Sequence, residues 1–238
     1  MRYAVFDELK YLEADEFFEF PNTEGTKGNF ICFNGNLSPG MLLSGYKQGF
    51  FPWYESDEQG IRWYNPEPRF VLLPQEFHLP KSLEKEIKRN EKHLESNEPN
   101  AIIFKSDTAF RTVIENCAWM KRADQDGTWI TPNMIEAYCR LNELDFAHSI
   151  EAWQTIDGTE RLVGGFYGVR LENAFFGESM FTKISGATKI VFAKFAKDFF
   201  AEGGKFIDCQ AYTDNMARYG AKNISRTAYL RLLKDTLE

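Results

Sequence analysis

Residues 147–181 read AHSIEAWQTIDGTERLVGGFYGVRLENAFFGESMF. The stretch holds three strand-like runs, roughly 147–154, 161–170 and 174–181. Asp157-Gly158 and Glu172-Asn173 separate them, and both pairs are turn formers. Strands divided by such short breaks form an antiparallel meander. Gly164, Gly165 and Gly168 fall inside the middle run, where glycine marks close backbone approach or a bulge.

The flanks add helices. Downstream, a helix is expected over about 187–202, with Val191, Phe192, Phe195 and Phe199 on one side. Gly203-Gly204 ends it. A strand at 206–211 and a final helix from Ser225 follow. Upstream, 101–104 reads as a short strand and Asp107 starts a helix running to Ala118. Thr131 caps another helix, with Pro132 in its first turn and Ile135, Tyr138 and Leu141 as the apolar stripe. The resulting fold class is α+β. Residues 1–80 differ in texture, because they hold seven of the nine prolines. Short elements suit that punctuation. Ser38-Pro39 looks like a helix start, and the helix would reach Gln48 and stop at Gly49.

The 238 residues are 43% hydrophobic and 26% charged, enough for a real core and against disorder. A net charge of −7 excludes a chain coated in basic charge, though a local basic patch stays possible. One candidate is the helix Lys81–His93, where Lys81, Lys85, Lys88 and Lys92 share a face. On spacing alone that face is simply solvated, with i,i+4 ion pairs. No run is apolar for long enough to span a bilayer, and the start does not resemble a signal peptide. Cys32, Cys117, Cys139 and Cys209 form no C-x-x-C pair and read as buried thiols of a reducing cytoplasm. Three scattered histidines argue against zinc, and no cofactor is expected.

Three places carry chemistry. On a strand, Asp208 and Gln210 would point to one face, as a functional pair or as two surface groups with equal weight. Glu178 stands among Phe175, Phe176, Met180 and Phe181, where a carboxylate must be paired, solvated by a cleft or protonated. Gly177-Glu178-Ser179-Met180-Phe181 imitates a nucleophile elbow but lacks the second glycine, so a Ser179–His148–Asp208 hydrolase is a weak reading. Trp53, Trp63 and Trp129 lie beside turns, as stacking platforms or, more commonly, as packing.

Taken in order, several motifs resemble the leucyl/phenylalanyl-tRNA–protein transferase family. They are Asn36-Leu37-Ser38-Pro39, Gly49-Phe50-Phe51-Pro52-Trp53, Trp63-Tyr64-Asn65-Pro66-Glu67-Pro68-Arg69, Gly127-Thr128-Trp129-Ile130 and His148-Ser149-Ile150-Glu151. Leu162 to Gly168, Phe176 to Phe181 and Phe206 to Gln210 complete the series. The resemblance implies a small N-terminal domain, residues 1–67, and an acetyltransferase-like (GNAT) domain with a mainly antiparallel sheet, residues 68–238. It implies transfer of Leu or Phe from charged tRNA to the α-amine of proteins beginning with Arg or Lys, which creates a destabilising N-terminus. The acetyl-CoA loop of GNAT enzymes is missing, consistent with tRNA as the donor.

By the same resemblance Asp208, Gln210 and Glu178 are catalytic. Glu178 and Asp208 would also receive the cationic acceptor residue. An amide is a poor base, so Gln210 is expected to offer its carbonyl, held by Asp208, to the attacking amine. Phe166, Phe175, Met180, Phe192, Phe195 and Ile207 would line the aminoacyl pocket. Simple alternation puts Phe175 and Met180 on opposite faces, unless a bulge at Gly177 reunites them. Trp53 and Trp129 would flank the terminal adenosine, and Lys81, Lys85, Lys88 and Arg89 would meet tRNA phosphates. The chain would act as a monomer, with no membrane partner.

Departures from the family pattern are also visible. Phe166 and Phe192 replace a Met and a Leu, which shrinks the pocket and favours Leu over Phe. Asn215 stands where a His is usual, Arg218 and Tyr219 replace Ser and Leu, Glu84 falls in the basic helix, and Gly186 replaces an aspartate. Two other readings follow: a same-fold transferase with another donor or with Asp or Glu acceptors, and a non-catalytic module that binds tRNA or basic N-termini.

Overall fold

The computed structural model describes every residue except 1, 7, 8 and 121–128. Gly127 and Thr128 of the Trp129 motif therefore lie outside the described residues. The first third builds a small sheet from β1 (Arg2–Val5), β2 (Phe30–Phe33), β3 (Phe51–Pro52) and β4 (Arg62–Asn65), in the order β1-β2-β4-β3. Helix α1 (Pro39–Lys47) covers it. Ser38 takes the N-cap position but not the capping bond, because its hydroxyl donates to the Asn36 side chain instead. Gly49 ends the turn with φ +82°, as its place after the helix requires.

The rest of the chain builds a seven-stranded sheet. In sequence come β5 (Arg69–Leu72), α2 (Lys81–Glu95), β6 (Ile103–Ser106), α3 (Phe110–Trp119) and α4 (Pro132–Glu143). Then come the meander β7 (Ala147–Ile156), β8 (Thr159–Leu171) and β9 (Ala174–Thr182), and α5 (Ala187–Ala201). Last are β10 (Phe206–Asp208), α6 (Asp214–Ala217), β11 (Lys222–Ile224) and α7 (Arg226–Leu237). The strand order is β11-β5-β10-β9-β8-β7-β6. The sheet is mixed: β10 runs parallel to β9, and every other adjacent pair is antiparallel. The α+β class holds.

Buried side chains gather on both faces. Tyr167, Val169, Phe176 and Phe206 point toward α3, α4, α7 and the small sheet, and share one core with Phe50 and Trp63. Phe70, Phe166, Phe175 and Ile207 point toward α2 and α5. The two sheets are thus cemented rather than merely adjacent. Arg226 strengthens the joint from α7: its buried guanidinium donates to the carbonyls of Gly28 and Asn65 and to the Asn65 and Thr26 side chains.

Local expectations fail where distant groups intervene. Asp107 does not start α3; it adopts φ +52° and accepts from the Ser149 amide. The buried Glu151 of β7 takes the capping work, accepting from the amides of Thr108 and Ala109. Strand β6 begins two residues late, because the Asn90 side chain holds both backbone groups of Ile102. The meander glycines permit close approach: a Cβ on Gly164 would sit 2.5 Å from the Thr188 hydroxyl, and one on Gly168 would sit 2.3 Å from the Phe176 carbonyl.

Candidate functional site

The parallel pairing of β9 with β10 stops at Phe176 opposite Asp208. Beyond that point β9 continues alone beside β8, and the two strands leave a gap. Ligand sites favour such carboxyl ends of parallel strands. A bulge marks the same place. Gly168 faces Gly177 and Tyr167 faces Ser179, so Glu178 is the extra residue. The expected bulge is present, and it turns Met180 to the face that carries Phe175. A cavity of about 280 Å³ opens there, with Phe166, Phe175, Met180, Phe192 and Ile207 in its wall. Asn215 and Thr213 edge it, and the Asn215 amide lies 3.2 Å from the Met180 sulfur.

Two carboxylates stand at this gap in opposite states. Asp208 is fully buried. Arg69 grips it with Nε at 2.9 Å from Oδ1 and Nη2 at 2.6 Å from Oδ2. The Tyr229 hydroxyl donates to Oδ2 at 2.7 Å, and the Gln210 amide N–H donates to Oδ1 at 2.8 Å. Burial opposes the Arg69 charge, but Asp208 outweighs it and holds the guanidinium proton more firmly than usual. Arg69 also donates to the Gly49 carbonyl and stacks over the Phe51 and Tyr229 rings, tying the small sheet to this pair.

Glu178 is half-buried, and among the described residues it has no cationic partner within salt-bridge distance. Neutral donors hold it instead. Tyr46 of α1 and the Gln210 side-chain amide both donate to Oε1, each at 2.7 Å. Tyr138 of α4 donates to Oε2 at 3.2 Å, and the two tyrosine hydroxyls are 2.5 Å apart. Burial pushes the Glu178 carboxyl up to about 7, against the pull of those three hydrogen bonds; the Asp208 charge adds to the rise. Burial first, and then the Glu178 charge, raise both tyrosines well above the ordinary phenol range.

The strand expected over 206–211 ends at Asp208, and Gln210 has φ +61°. Asp208 and Gln210 therefore do not share a strand face. Asp208 fixes the Gln210 backbone, and Glu178, not Asp208, holds its amide nitrogen. The Phe70 amide takes the Gln210 main-chain carbonyl, and among the described residues the side-chain carbonyl is left to accept. Phe195 also differs from expectation. It packs behind the wall, with ring centroids 4.6 Å from Phe175 and 5.3 Å from Phe166, and lines a separate cavity. The hydrolase triad is not assembled: His148 binds Asp107 at 2.9 Å and faces that other cavity, while Asp208 is committed to Arg69. Arg218 is exposed and does not line the main cavity.

Trp53 is 40% exposed beside Tyr64, Trp129 is half-buried, and Trp63 is core. A Tyr54–Thr131 hydrogen bond ties together the segments that follow Trp53 and Trp129. On α2, Lys81, Lys85, Lys88 and Arg89 are all exposed, and none joins an ion pair among the described residues. The i,i+4 pairing expected of a merely solvated face is not found. Cys32, Cys117 and Cys139 are buried, and Cys209 is half-buried at the cavity. Among the described residues no group of three or more His, Cys, Asp or Glu side chains is placed to hold a metal. No described helix is long and apolar enough to cross a membrane. Sequence reasoning missed Tyr46, Tyr138, Arg69 and Tyr229 as site residues. Arg69 ends a motif singled out above, but the others lack any local signal.

Comparison with known proteins settles the class. The family model described as leucyl/phenylalanyl-tRNA protein transferase matches residues 71–234, and the model of that family's N-terminal domain matches residues 35–67. The leucyl/phenylalanyl-tRNA–protein transferase of Saccharophagus degradans is 42% identical over 97% of this chain and 89% of that protein. The protein of the same description from Myxococcus xanthus is 43% identical over 94% of this chain and 90% of its own length. Among solved structures, L-PGS from Bacillus licheniformis aligns with a TM-score of 0.40 at 10% identity, over 87% of this chain and 72% of that one, too distant to assign a fold. The sequence matches place the chain among the aminoacyltransferases. It belongs to the leucyl/phenylalanyl-tRNA–protein transferase family.

Proposed function

We propose that the chain transfers leucine, and less readily phenylalanine, from charged tRNA to the α-amine of proteins beginning with Arg or Lys. The product is a destabilising N-terminus for proteolysis. One observation carries this reading: an apolar cavity ends at Glu178, a carboxylate with no cationic partner among the described residues, beside the Gln210 side-chain carbonyl. The apolar part takes the aminoacyl side chain, and Phe166 and Phe192 limit it to the smaller one. Glu178 receives the cationic residue of the acceptor. Asp208 is neutralised by Arg69 and supports this receptor from behind, without touching the acceptor. The exposed position of Arg218 off the cavity weighs against Asp or Glu acceptors.

The acyl donor is an activated ester, so orientation supplies much of the rate. Gln210 accepts a hydrogen bond from the incoming amine, and Asp208 fixes its backbone for that purpose. Trp53 and Trp129 flank the terminal adenosine. Lys81, Lys85, Lys88 and Arg89 meet tRNA phosphates, a role supported by their freedom from ion pairs. The division into residues 1–67 and 68–238, with an acetyltransferase-like second part, draws support from the parallel β9–α5–β10 unit in an otherwise antiparallel sheet. A monomer working in the cytoplasm completes the proposal.

The test offers purified protein labelled Leu-tRNA and peptides beginning with Arg, Lys, Asp or Glu. Transfer to Arg and Lys alone is the expected result; transfer to Asp or Glu would overturn the acceptor assignment. Competition between Leu-tRNA and Phe-tRNA checks the narrow pocket, and equal use would refute it. In filter binding, Lys85→Ala should lower the slope of log affinity against log salt by about 0.9, one phosphate contact fewer.

A further inference from the structure

We propose that Glu178 is the proton acceptor of the transfer reaction, and that Tyr46 and Tyr138 are positioning residues that set its readiness. The inference rests on the aminoacyl transfer proposed above. It concerns which atom takes the proton, whichever acceptor side chain is preferred.

The geometry leaves Glu178 little competition. An ionised carboxylate has about four lone-pair positions. On Glu178, Oε1 is filled by Tyr46 and Gln210, while Oε2 has one long bond from Tyr138. Among the described residues, one position on Oε2 stays open. The other titratable groups around Glu178 are committed. From β5 and β10, Arg69 and Asp208 lock each other, with Tyr229 of α7 on the same carboxylate. Cys209 of β10's end is pushed up by burial, and Tyr46 of α1 and Tyr138 of α4 are raised likewise. Tyr167 of β8 also lines the cavity and is a phenol. Gln210 cannot serve, because its nitrogen already donates to Glu178 and an amide oxygen is a very weak base. A carboxyl poised near neutrality suits proton transfer at physiological pH, and burial has moved Glu178 there.

The step balances without a further reactant. The neutral α-amine nitrogen attacks the ester carbonyl carbon of the aminoacyl-tRNA, and a C–N bond forms. The C–O bond to the terminal ribose breaks. The proton leaves nitrogen for Oε2 of Glu178 and passes to the departing ribose oxygen, so Glu178 ends the cycle ionised. Tyr46 and Tyr138 stabilise the ionised form by donating to it. Their loss would make the carboxylate hold its proton more tightly.

The experiment follows single-turnover transfer from Leu-tRNA to an Arg-peptide from pH 5.5 to 9, with hydroxylamine as a second nucleophile. Hydroxylamine is already neutral well below pH 7. The wild-type Arg-peptide reaction is the control for the underlying transfer; without it the reading in the previous section fails, not this one. Glu178→Gln should cut kcat for the Arg-peptide about 100-fold, the lower range for a lost general base. KM should rise as well, because Glu178 also receives the acceptor's cation; the acidic limb should lose the steepness that Glu178 adds and keep only the titration of the peptide α-amine, and hydroxylamine should be affected far less. Glu178→Asp should recover part of kcat, and native circular dichroism excludes misfolding. Tyr46→Phe and Tyr138→Phe should shift the acidic limb to higher pH, which a purely structural role would not do. A raised KM at unchanged kcat in Glu178→Gln, or an acidic limb as steep in it as in wild type, would overturn the proposal.

Discussion

Two carboxylates that both bond Gln210 are held in opposite ways. The Asp208 cluster is closed: a bidentate guanidinium, a phenol and a backbone amide use both oxygens, and the side chain is shut off from the surface. The Glu178 cluster is open: two phenols and an amide hold a carboxylate that has no cation within salt-bridge distance among the described residues. Charge pairing fixes geometry and suppresses reactivity, whereas neutral donors fix geometry and leave the proton exchangeable. Gln210 joins the two, its backbone bound to the closed cluster and its side chain to the open one. A rigid half thereby aims a reactive half.

The largest expected effect tests the closed side. Asp208→Ala should destabilise the fold by about 3–5 kcal/mol in urea unfolding, because Arg69 would be left buried and unpaired. A variant as stable as wild type would break the comparison. That outcome also bears on activity assays, since lost transfer in Asp208→Ala would report damaged architecture as much as lost chemistry.

Next comes the open side, where the sign is opposite. The folded Glu178 carboxyl sits at about 7, above its unfolded value, so the folded state binds its proton more tightly. Stability from this group is therefore complete below the unfolded value, near 4.3, and is lost as pH rises through about 7. Glu178→Gln should be more stable than wild type at pH 8 by about 2 kcal/mol, a gain that vanishes near pH 4. Equal stability across that range would mean the site imposes no strain on its acid.

The smallest effects sharpen the contrast between phenols. Tyr229→Phe removes a hydrogen bond to the carboxylate that Arg69 grips and should cost about 2 kcal/mol across pH 6 to 9. Tyr46→Phe removes a bond to a group that titrates within that range, so its cost should rise with pH, by about 1 kcal/mol over the interval. Parallel pH profiles for the two variants would show that the clusters do not differ in kind.

Much of this was legible before any coordinates. Asp157-Gly158 and Glu172-Asn173 announced the meander, and Asp157, Gly158 and Glu172 all adopt positive φ there. The conflict between Phe175 and Met180 announced the bulge. What escaped notice depends on contacts that no local pattern encodes. Arg69 and Asp208 are 139 residues apart, and Tyr46 lies 132 from Glu178. Strand β10 ends at Asp208 because Gln210, at φ +61°, turns the chain just where Phe70 of β5 bonds the Cys209 amide and the Gln210 main-chain carbonyl, a pairing that residues 206–211 cannot reveal. Asp107 looked like a helix cap because the stronger cap, Glu151, arrives from a neighbouring strand.

The extra residue in β9 has a consequence for how such a site can evolve. Glu178 is an insertion as well as an acid, and it resets which side chains of Ser179 to Thr182 face the cavity. Deleting it would send Met180 to the opposite side and bring Phe181 into its place. Point substitutions can retune this active site, but a change of one residue in length would exchange its interior for its exterior. Chain length across the bulge therefore matters to this site as much as the identity of the acid itself.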